Sequence, residues 1–333
     1  MILHAIGFGS LNLDEFWEVD EELLRAYDLR PGEEYVKDVD LFSAIYPILA
    51  AEGSLKGVDP GGSAANMIAA LRKMGFDTGF YGVAGEADAA ALRLEELGRT
   101  ENLRVRLIDL PAGRCLSLID RKDAARDRAL VILPNANNLA GSEDFDLGYF
   151  QQASWVHLTS FVSRKPLAAQ IRLVEQLSGD THVSLDPGAL YSSFGLIELQ
   201  PLLERTDILF TTEEELKALT GLSSVQGAVG LLTEIGIKTV IMKMGESGIK
   251  GFEFGRSFHQ AAFLPARIKD RTGAGDVAAA GFLAGVIHSL CMEDSLELAA
   301  LAASRSIEGY GRSCYPDAEF LEDFLSRERK RQA

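Results

Sequence analysis

Two glycines bracket one small residue near the end of the segment from Asp270 to Asp276, and a carboxylate follows them directly. Good helix formers then run through residues 277–290, which predicts a loop that turns into a helix. The first N–H groups of a helix have no internal acceptor, so such a terminus binds anions, phosphate above all. Asp276 is therefore either the N-cap of this helix or a general base beside a bound phosphate.

Composition, net charge and cysteine spacing indicate the general class of the protein and of its partners. The 333 residues are 47% hydrophobic and 25% charged, which is typical of a globular chain. The net charge of −16 argues against nucleic acid or an anionic membrane surface as the main partner. Three widely spaced cysteines without a C-x-x-C pattern indicate neither a zinc site nor a disulfide framework. We expect a cytoplasmic protein, because the chain shows no signal-peptide pattern and no apolar run of membrane-spanning length.

The elements that must position Asp276 form an alternating pattern. From residue 155 onward strands and helices alternate, which predicts an α/β fold with a mostly parallel sheet and helices on both faces. Residues 86–97 read as an amphipathic helix. Three strand candidates, at 104–110, 114–120 and 129–133, follow without a helix between them. We expect one domain over residues 1–333, with a small β-sheet lid drawn from about 13–60 and 100–135.

Two other nucleotide-binding patterns fit poorly. No G-x-x-x-x-G-K-[ST] motif is present, which excludes a P-loop kinase. Residues 273–278 satisfy G-x-G-x-x-A, but a dinucleotide fingerprint should follow a hydrophobic strand. The preceding residues, 266–270, are largely polar, and only helices are predicted to follow. A Rossmann domain is therefore disfavoured.

Two separate motifs resemble one family. The segment D-x-T-G-A-G-D at 270–276 is similar to the C-terminal signature of the ribokinase-like (PfkB) sugar and nucleoside kinases. The segment G-G-S-A-A-N at 61–66 resembles the N-terminal signature, and both occur in order at the expected separation. The resemblance spans nearly the whole chain. It implies a ribokinase-like sheet with a β lid and transfer of the ATP γ-phosphate to a hydroxyl group, with Mg²⁺ as cofactor.

The resemblance also implies roles for individual residues. Asp276 would accept the hydroxyl proton, while backbone N–H groups would bind the migrating phosphoryl group; these belong to Gly273, Ala274 and Gly275. The substrate would be held by Asn12, Asp14, Gly61, Gly62 and Asn66. ATP would lie against Thr212, Lys243, Gly245, Glu246 and Gly248. Glu215 would order the Mg²⁺ water shell, and Asp270 with Thr272 would form a site for K⁺ or another monovalent cation.

Several positions depart from the family pattern and leave the substrate open. Ser63 stands where ribokinases usually carry lysine, Asn135 replaces a usual glycine, and Thr212 replaces a usual asparagine. A small-molecule sugar or sugar derivative is the expected substrate. A nucleoside kinase is the alternative within the enzymes, and a catalytically poor sugar- or nucleotide-binding protein is the alternative outside them. The lid strands are also candidates for edge-to-edge pairing in a homodimer.

Overall fold

A computed structural model describes residues 2–36, 39–122, 128–141 and 145–332. Its strands are β1 (Leu3–Phe8), β2 (Asn12–Val19), β3 (Glu34–Val36), β4 (Ser54–Gly61), β5 (Thr78–Gly85), β6 (Leu103–Ile108), β7 (Gly113–Asp120), β8 (Arg128–Leu133), β9 (Ala153–Thr159), β10 (His182–Asp186), β11 (Ile208–Thr211), β12 (Thr239–Lys243), β13 (Ile249–Glu253) and β14 (Arg256–Gln260). Its α-helices are α1 (Glu21–Ala26), α2 (Val39–Glu52), α3 (Ser63–Lys73), α4 (Leu147–Phe150), α5 (Arg164–Gln176), α6 (Gly188–Ser192), α7 (Gly195–Leu203), α8 (Glu213–Thr220), α9 (Val225–Ile235), α10 (Ala274–Ile287), α11 (Met292–Ser306) and α12 (Ala318–Gln332).

The large sheet has nine strands in the order β14-β13-β12-β11-β10-β9-β1-β5-β6. The seven strands from β12 to β6 in this order run parallel, and the hairpin of β13 and β14 closes one edge antiparallel. One face packs on a core that includes α3, α10 and α11, and the other face on a core that includes α5, α7 and α8. The predicted α/β class with helices on both faces is confirmed.

The small sheet, called the lid here, has the order β3-β8-β7-β2-β4. Strand β2 pairs antiparallel with β4 but parallel with β7, so the sheet is mixed. Helices α1 and α2 contribute side chains such as Leu24 and Ile45 to a separate core, where they pack with Trp17 and Leu118 of the lid. The lid therefore has its own apolar core within the chain.

Two local predictions are wrong. Strand β6 does not belong to the lid: Phe80 of β5 pairs with Leu103, so β6 extends the large sheet in parallel. The predicted helix at 86–97 is replaced by two short 3₁₀ turns at Glu86–Asp88 and Leu94–Glu96. Arg93 adopts a left-handed conformation with φ of 44°, and an α-helix cannot continue through such a residue.

Within the described ranges, no helix combines the length and apolarity needed to cross a membrane.

Candidate active site

Asp276 is not the N-cap of its helix. Gly273 occupies the N-cap with a φ of 75°, and Asp276 is the third residue of α10. This left-handed conformation favours glycine, and a Cβ at Gly273 would stand 3.0 Å from the Tyr315 hydroxyl oxygen. Among the described residues, no side chain makes a hydrogen bond that caps the helix. The N-cap alternative for Asp276 is therefore wrong, and its carboxylate is left for another role.

The surroundings of Asp276 raise the pKa of its carboxyl toward neutral pH. Burial raises the pKa of Asp276 to about 7, while the Asn66 hydrogen bond opposes the shift and the Asp186 charge adds to it. The charges of Lys243 and Arg128 lower the same pKa. The carboxyl is thus half ionised near pH 7, which is the condition for an efficient general base.

Asn66 connects Asp276 to a buried arginine. The Asn66 side-chain Nδ2 donates to Asp276 Oδ2 at 2.9 Å, and Arg312 Nε donates to Asn66 Oδ1 at 3.3 Å. The Arg312 bond fixes which end of the Asn66 amide faces Asp276, because only the oxygen end can accept from a guanidinium. The Arg312 side chain is 4% exposed and also bonds Glu96 Oε2 at 3.1 Å. Arg312 was not among the site residues predicted from the sequence.

Asp14 is a buried carboxylate without full hydrogen bonding. Its Oδ1 has no partner among the described residues. Burial raises the pKa of Asp14 to about 7, the Arg312 charge lowers it, and the charges of Asp270 and Asp276 raise it further. Gly61 is required beside it, since a Cβ there would lie 2.0 Å from Asp14 Oδ2. A hydroxyl group of a ligand would satisfy the unpartnered oxygen.

Asn12 is held in place by a second asparagine. Asn137 Nδ2 donates to Asn12 Oδ1 at 2.8 Å, and Asn137 Oδ1 accepts the Leu11 N–H at 2.9 Å. Asn137 follows Asn135, whose φ of 44° is left-handed and whose Nδ2 donates to the Ala112 carbonyl at 2.9 Å. The departure from glycine at Asn135 is thus accommodated, because asparagine tolerates this conformation better than most residues.

Lys243 is buried in an ion pair rather than solvated. Its Nζ lies 2.5 Å from Asp186 Oδ2, and the two side chains are 15% and 7% exposed. Burial works to lower the pKa of Lys243, but the Asp186 and Glu215 charges outweigh burial and raise it. Sequence reasoning missed Asp186; its only signal was an acid at the carboxyl end of a buried parallel strand, where α/β proteins bind ligands.

Thr212 and Glu215 form a capping box at the start of α8. Glu215 Oε2 accepts the Thr212 N–H at 2.7 Å, and Thr212 Oγ1 accepts the Glu215 N–H at 3.2 Å. Burial raises the pKa of Glu215, the Lys243 charge lowers it and the Asp186 charge raises it. Glu215 is thus engaged through Oε2, and Thr212 acts as a helix cap.

Asp270 and Thr272 present oxygens that fit a cation. Asp270 is 2% exposed, and its Oδ1 accepts the Thr272 N–H at 2.9 Å. Asp270 Oδ2 and Thr272 Oγ1 are buried without hydrogen-bond partners in the described part of the chain. Burial raises the pKa of Asp270 and outweighs the backbone hydrogen bond from Thr272 and the charge of Arg128, which lower it. These two buried oxygens without hydrogen-bond partners would serve as ligands of a monovalent cation.

One cavity of about 290 Å³ brings most of the predicted residues together. The predicted residues that line it are Asn12, Asp14, Gly62, Asn66, Glu215, Lys243, Thr272, Gly273, Gly275 and Asp276. The predicted residues that do not line it are Gly61, Thr212, Gly245, Glu246, Gly248, Asp270 and Ala274. Asp186, Arg128 and Arg271 line it without having been predicted.

The predicted nucleotide loop lies beside this cavity rather than in its wall. Residues Gly245–Ser247 form a 3₁₀ turn after β12, and Glu246 Oε1 pairs with Arg271 Nη2 at 2.6 Å. At Gly248, with φ of 96°, a Cβ would stand 2.1 Å from the Gln260 carbonyl. In the predicted anion hole, the Ala274 N–H already donates to the Arg271 carbonyl at 3.2 Å. No such turn bond involves the N–H groups of Gly273 and Gly275 in the described chain.

The profile of the pfkB family carbohydrate kinases matches residues 37–318 of this chain. The chain belongs to the pfkB family. It is a phosphotransferase that uses a hydroxyl group as acceptor, as the resemblance of the two signatures indicated.

Individual relatives of this kinase bear different names. An uncharacterized sugar kinase of Archaeoglobus fulgidus is 27% identical over 72% of the chain and 95% of the relative. An ATP-dependent ribose-1-phosphate kinase of Halopiger xanaduensis is 30% identical over 80% of the chain and 86% of the relative. The solved structure of adenosine kinase from Sinorhizobium meliloti superposes with a TM-score of 0.84 at 19% identity, covering 99% of both chains. The family is thus established, and the acceptor differs among its members.

Proposed function

We propose that this kinase transfers the γ-phosphoryl group of ATP to a hydroxyl group of a sugar or sugar derivative. The observation that supports it most is the position of Asp276. The carboxyl is partly buried, has its pKa raised to about 7, and shares one cavity with Asp14 and the N-terminus of α10. A base, a hydroxyl-binding carboxylate and an anion-binding helix terminus are the three parts that phosphoryl transfer to an alcohol needs.

The proposed reaction is a direct transfer. The acceptor hydroxyl gives its proton to Asp276, and its oxygen forms a bond to the γ-phosphorus as the bond from that phosphorus to the β,γ-bridging oxygen breaks. The products are the phosphorylated acceptor and ADP. The N–H groups of Gly273 and Gly275 stabilise the charge on the migrating group, and Lys243 provides a cation beside it. Closure of the lid excludes water, which would otherwise compete as acceptor.

Two cations fit the residues present. Mg²⁺, when bound with ATP, neutralises phosphate charge, and Glu215 would hold one of its waters. Asp270 and Thr272 would hold K⁺ next to the N-terminal loop of α10 through the two orphaned oxygens. These residues would support the loop that presents the backbone N–H groups.

The polarity of the cavity favours a sugar over a nucleoside. Polar side chains surround Asp14 in the lining: Ser10, Asn12, Ser63, Asn66, Arg128 and Asn137. No aromatic side chain lines the described cavity, so a stacking clamp for a base is missing from that part. Arg128 of the lid would suit an acceptor that already bears an anionic group, in keeping with the name of the Halopiger relative.

A nucleoside kinase remains the second candidate on one observation. Leu130 and Ile132 of the lid and Val162 and Leu190 of the main body give the cavity an apolar part. A nucleobase could lie against such side chains without stacking. The third alternative, a catalytically poor binding protein, had Thr212 as its support; the capping box explains Thr212 by helix stability instead.

The test is a panel of sugars, sugar monophosphates and nucleosides with MgATP, followed by release of ADP. We expect turnover with a sugar or sugar phosphate, and turnover at least about a hundredfold slower in Asp276→Asn. Faster turnover of nucleosides would favour the second candidate. If the protein binds ATP but turns over no compound of the panel, the catalytically poor binding protein would be favoured.

Homodimerisation through the lid is a separate part of the proposal. The edge strands of the lid are β3 and β4, and Leu55 and Val58 of β4 are each 48% exposed. Exposed apolar residues on an unpaired edge are a site for strand pairing between copies. Sedimentation of wild type and Val58→Lys would test it: a dimer that dissociates in the variant supports the proposal, and a wild-type monomer contradicts it.

A further inference from the structure

A second cavity of about 450 Å³ lies between the lid and the main body, and we call it the seam cavity. Its charged lining is Asp59, Lys73, Arg93, Glu96, Lys269 and Arg312. Four cations therefore face two carboxylates, although the whole chain has a net charge of −16. A local surplus of positive charge within an acidic protein concentrates small anions.

Two of the cations are not neutralised by carboxylates. Lys73 Nζ donates to the Ser313 carbonyl oxygen at 3.5 Å, and Lys269 Nζ stands 5.8 Å from the centre of the Tyr310 ring. No ion pair of either lysine occurs within the described residues. Lysine ammonium groups are common ligands of phosphate.

The remaining charged residues of the seam cavity hold the lid against the main body, and we call the contacts of Asp59 with Arg93 and Arg312 the latch. Asp59, on β4 of the lid, forms an ion pair through Oδ1 with Arg93, and its Oδ2 accepts the Arg312 N–H at 2.8 Å. Arg93 also lies 3.4 Å from Glu96. The left-handed backbone of Arg93, with φ of 44°, is costly for a non-glycine residue. Such strain at a latch residue points to a function beyond packing.

The latch is directly connected to the active site. Asp59 stands opposite Asp14 in the β2–β4 pairing, so a displaced Asp59 moves the strand segment that positions Asp14. Arg312 also reaches Asn66, which bonds Asp276. A displacement of Asp59 in the seam cavity therefore acts first on Asp14 at the acceptor site.

We propose that the seam cavity binds a dianion of the phosphate or phosphate-monoester class, which competes with Asp59 for Arg93 and so loosens the lid. The bound anion is an inhibitor that weakens acceptor binding. It leaves ATP binding unchanged, because Lys243 and the N-terminus of α10 belong to the main body and do not line the seam cavity. This inference goes beyond the proposed function, and its binding step does not depend on turnover.

The binding test uses inorganic phosphate and glycerol 3-phosphate in separate calorimetric titrations at constant ionic strength. Lys73→Gln removes a seam cation outside the catalytic machinery, and Lys330→Gln on α12 is the matched control. We expect binding in wild type and in the control, and a loss in Lys73→Gln. Binding of inorganic phosphate alone would assign the site to free phosphate, whereas tighter binding of glycerol 3-phosphate would assign it to a monoester. Equal binding of the anions to all three proteins, or to none, would overturn the proposal.

The kinetic test uses the best acceptor from the panel. Phosphate should raise the acceptor KM about fivefold, the effect expected from losing one partly exposed ion pair, with an unchanged ATP KM. Asp59→Asn should have a raised acceptor KM that phosphate does not raise further. Inhibition that is competitive with ATP and equally strong in Lys73→Gln would place the anion at the nucleotide site. It would refute anion binding in the seam cavity. If no acceptor is turned over, the proposed function fails, and the calorimetric comparison still decides the binding site.

Discussion

Replacing Asn66 by alanine should shift the pH profile of catalysis to higher pH. Asn66 Nδ2 donates to Asp276 Oδ2 at 2.9 Å, and this bond stabilises the ionised carboxylate against burial. A hydrogen bond to a charged group contributes about 1.5–3 kcal/mol, and one pKa unit corresponds to about 1.4 kcal/mol. The pKa of Asp276, about 7 in the wild type, should therefore rise by at least about one unit in Asn66→Ala.

The consequence for the rate follows from the ionised fraction. A base acts when deprotonated, so activity falls as the pH drops through its pKa. A rise by one unit takes the ionised fraction at pH 7 from about one half to about one tenth, a roughly fivefold loss. Near pH 9 the two proteins should differ much less, because both carboxyls are then ionised.

The assay is kcat from about pH 5.5 to 9.5 with saturating MgATP and acceptor, so that the acceptor already occupies Asp14. The control is Asn102→Ala, whose side-chain amide bonds the Thr78 carbonyl at 3.4 Å and does not line the cavity. Its profile should match the wild type. An Asn66→Ala profile that is lowered equally at every pH would refute the reasoning and leave Asn66 as a substrate contact only.

Three other predictions concern neighbouring residues. Asp14→Ala should raise the acceptor KM roughly ten- to a hundredfold with little change in the ATP KM, since a bond to a charged group is lost; an unchanged acceptor KM would move the acceptor elsewhere. Thr212→Ala should lower the free energy of unfolding by about 1 kcal/mol in urea titrations and leave kcat intact; lost kcat at full stability would instead assign Thr212 to the phosphates. Lys243→Met should destabilise the fold by roughly 3–5 kcal/mol because Asp186 is left as a buried unpaired charge. Lys243→Met combined with Asp186→Asn should recover part of that loss, and a double variant less stable than Lys243→Met would contradict the ion-pair argument.

The repeating pattern of strands and helices was sufficient to predict the large sheet. Parallel strands that are buried on both faces read as short apolar runs between helical segments, and this signal is local in sequence. Strand β6 was misplaced because its partner is decided by register with β5, which is a tertiary choice. The helix predicted at 86–97 failed because periodicity does not report the backbone conformation of Arg93.

The candidate site was predictable where one short motif contains the chemistry. The N-terminus of α10, with its N-cap, provides Gly273, Gly275 and Asp276 within four residues. The partners of those residues come from distant segments: Lys243 and Asp186 are 57 residues apart, and Arg312 lies 246 residues from Asn66. No local pattern marks such pairs, since folding alone brings them together. Arg312 in particular lies between the active site and the seam cavity, and only the structure relates the two.

The assignment of Asp276 as the base is tested most directly by Asp276→Asn. Asparagine keeps the size of the side chain but cannot accept the hydroxyl proton, so kcat should fall by at least about a hundredfold. The same variant should unfold at an unchanged or higher urea concentration, because a partly buried carboxyl with a raised pKa costs stability above its pKa. It should also bind ATP as the wild type does. Retention of most of the activity in a folded, ATP-binding Asp276→Asn protein would contradict the account.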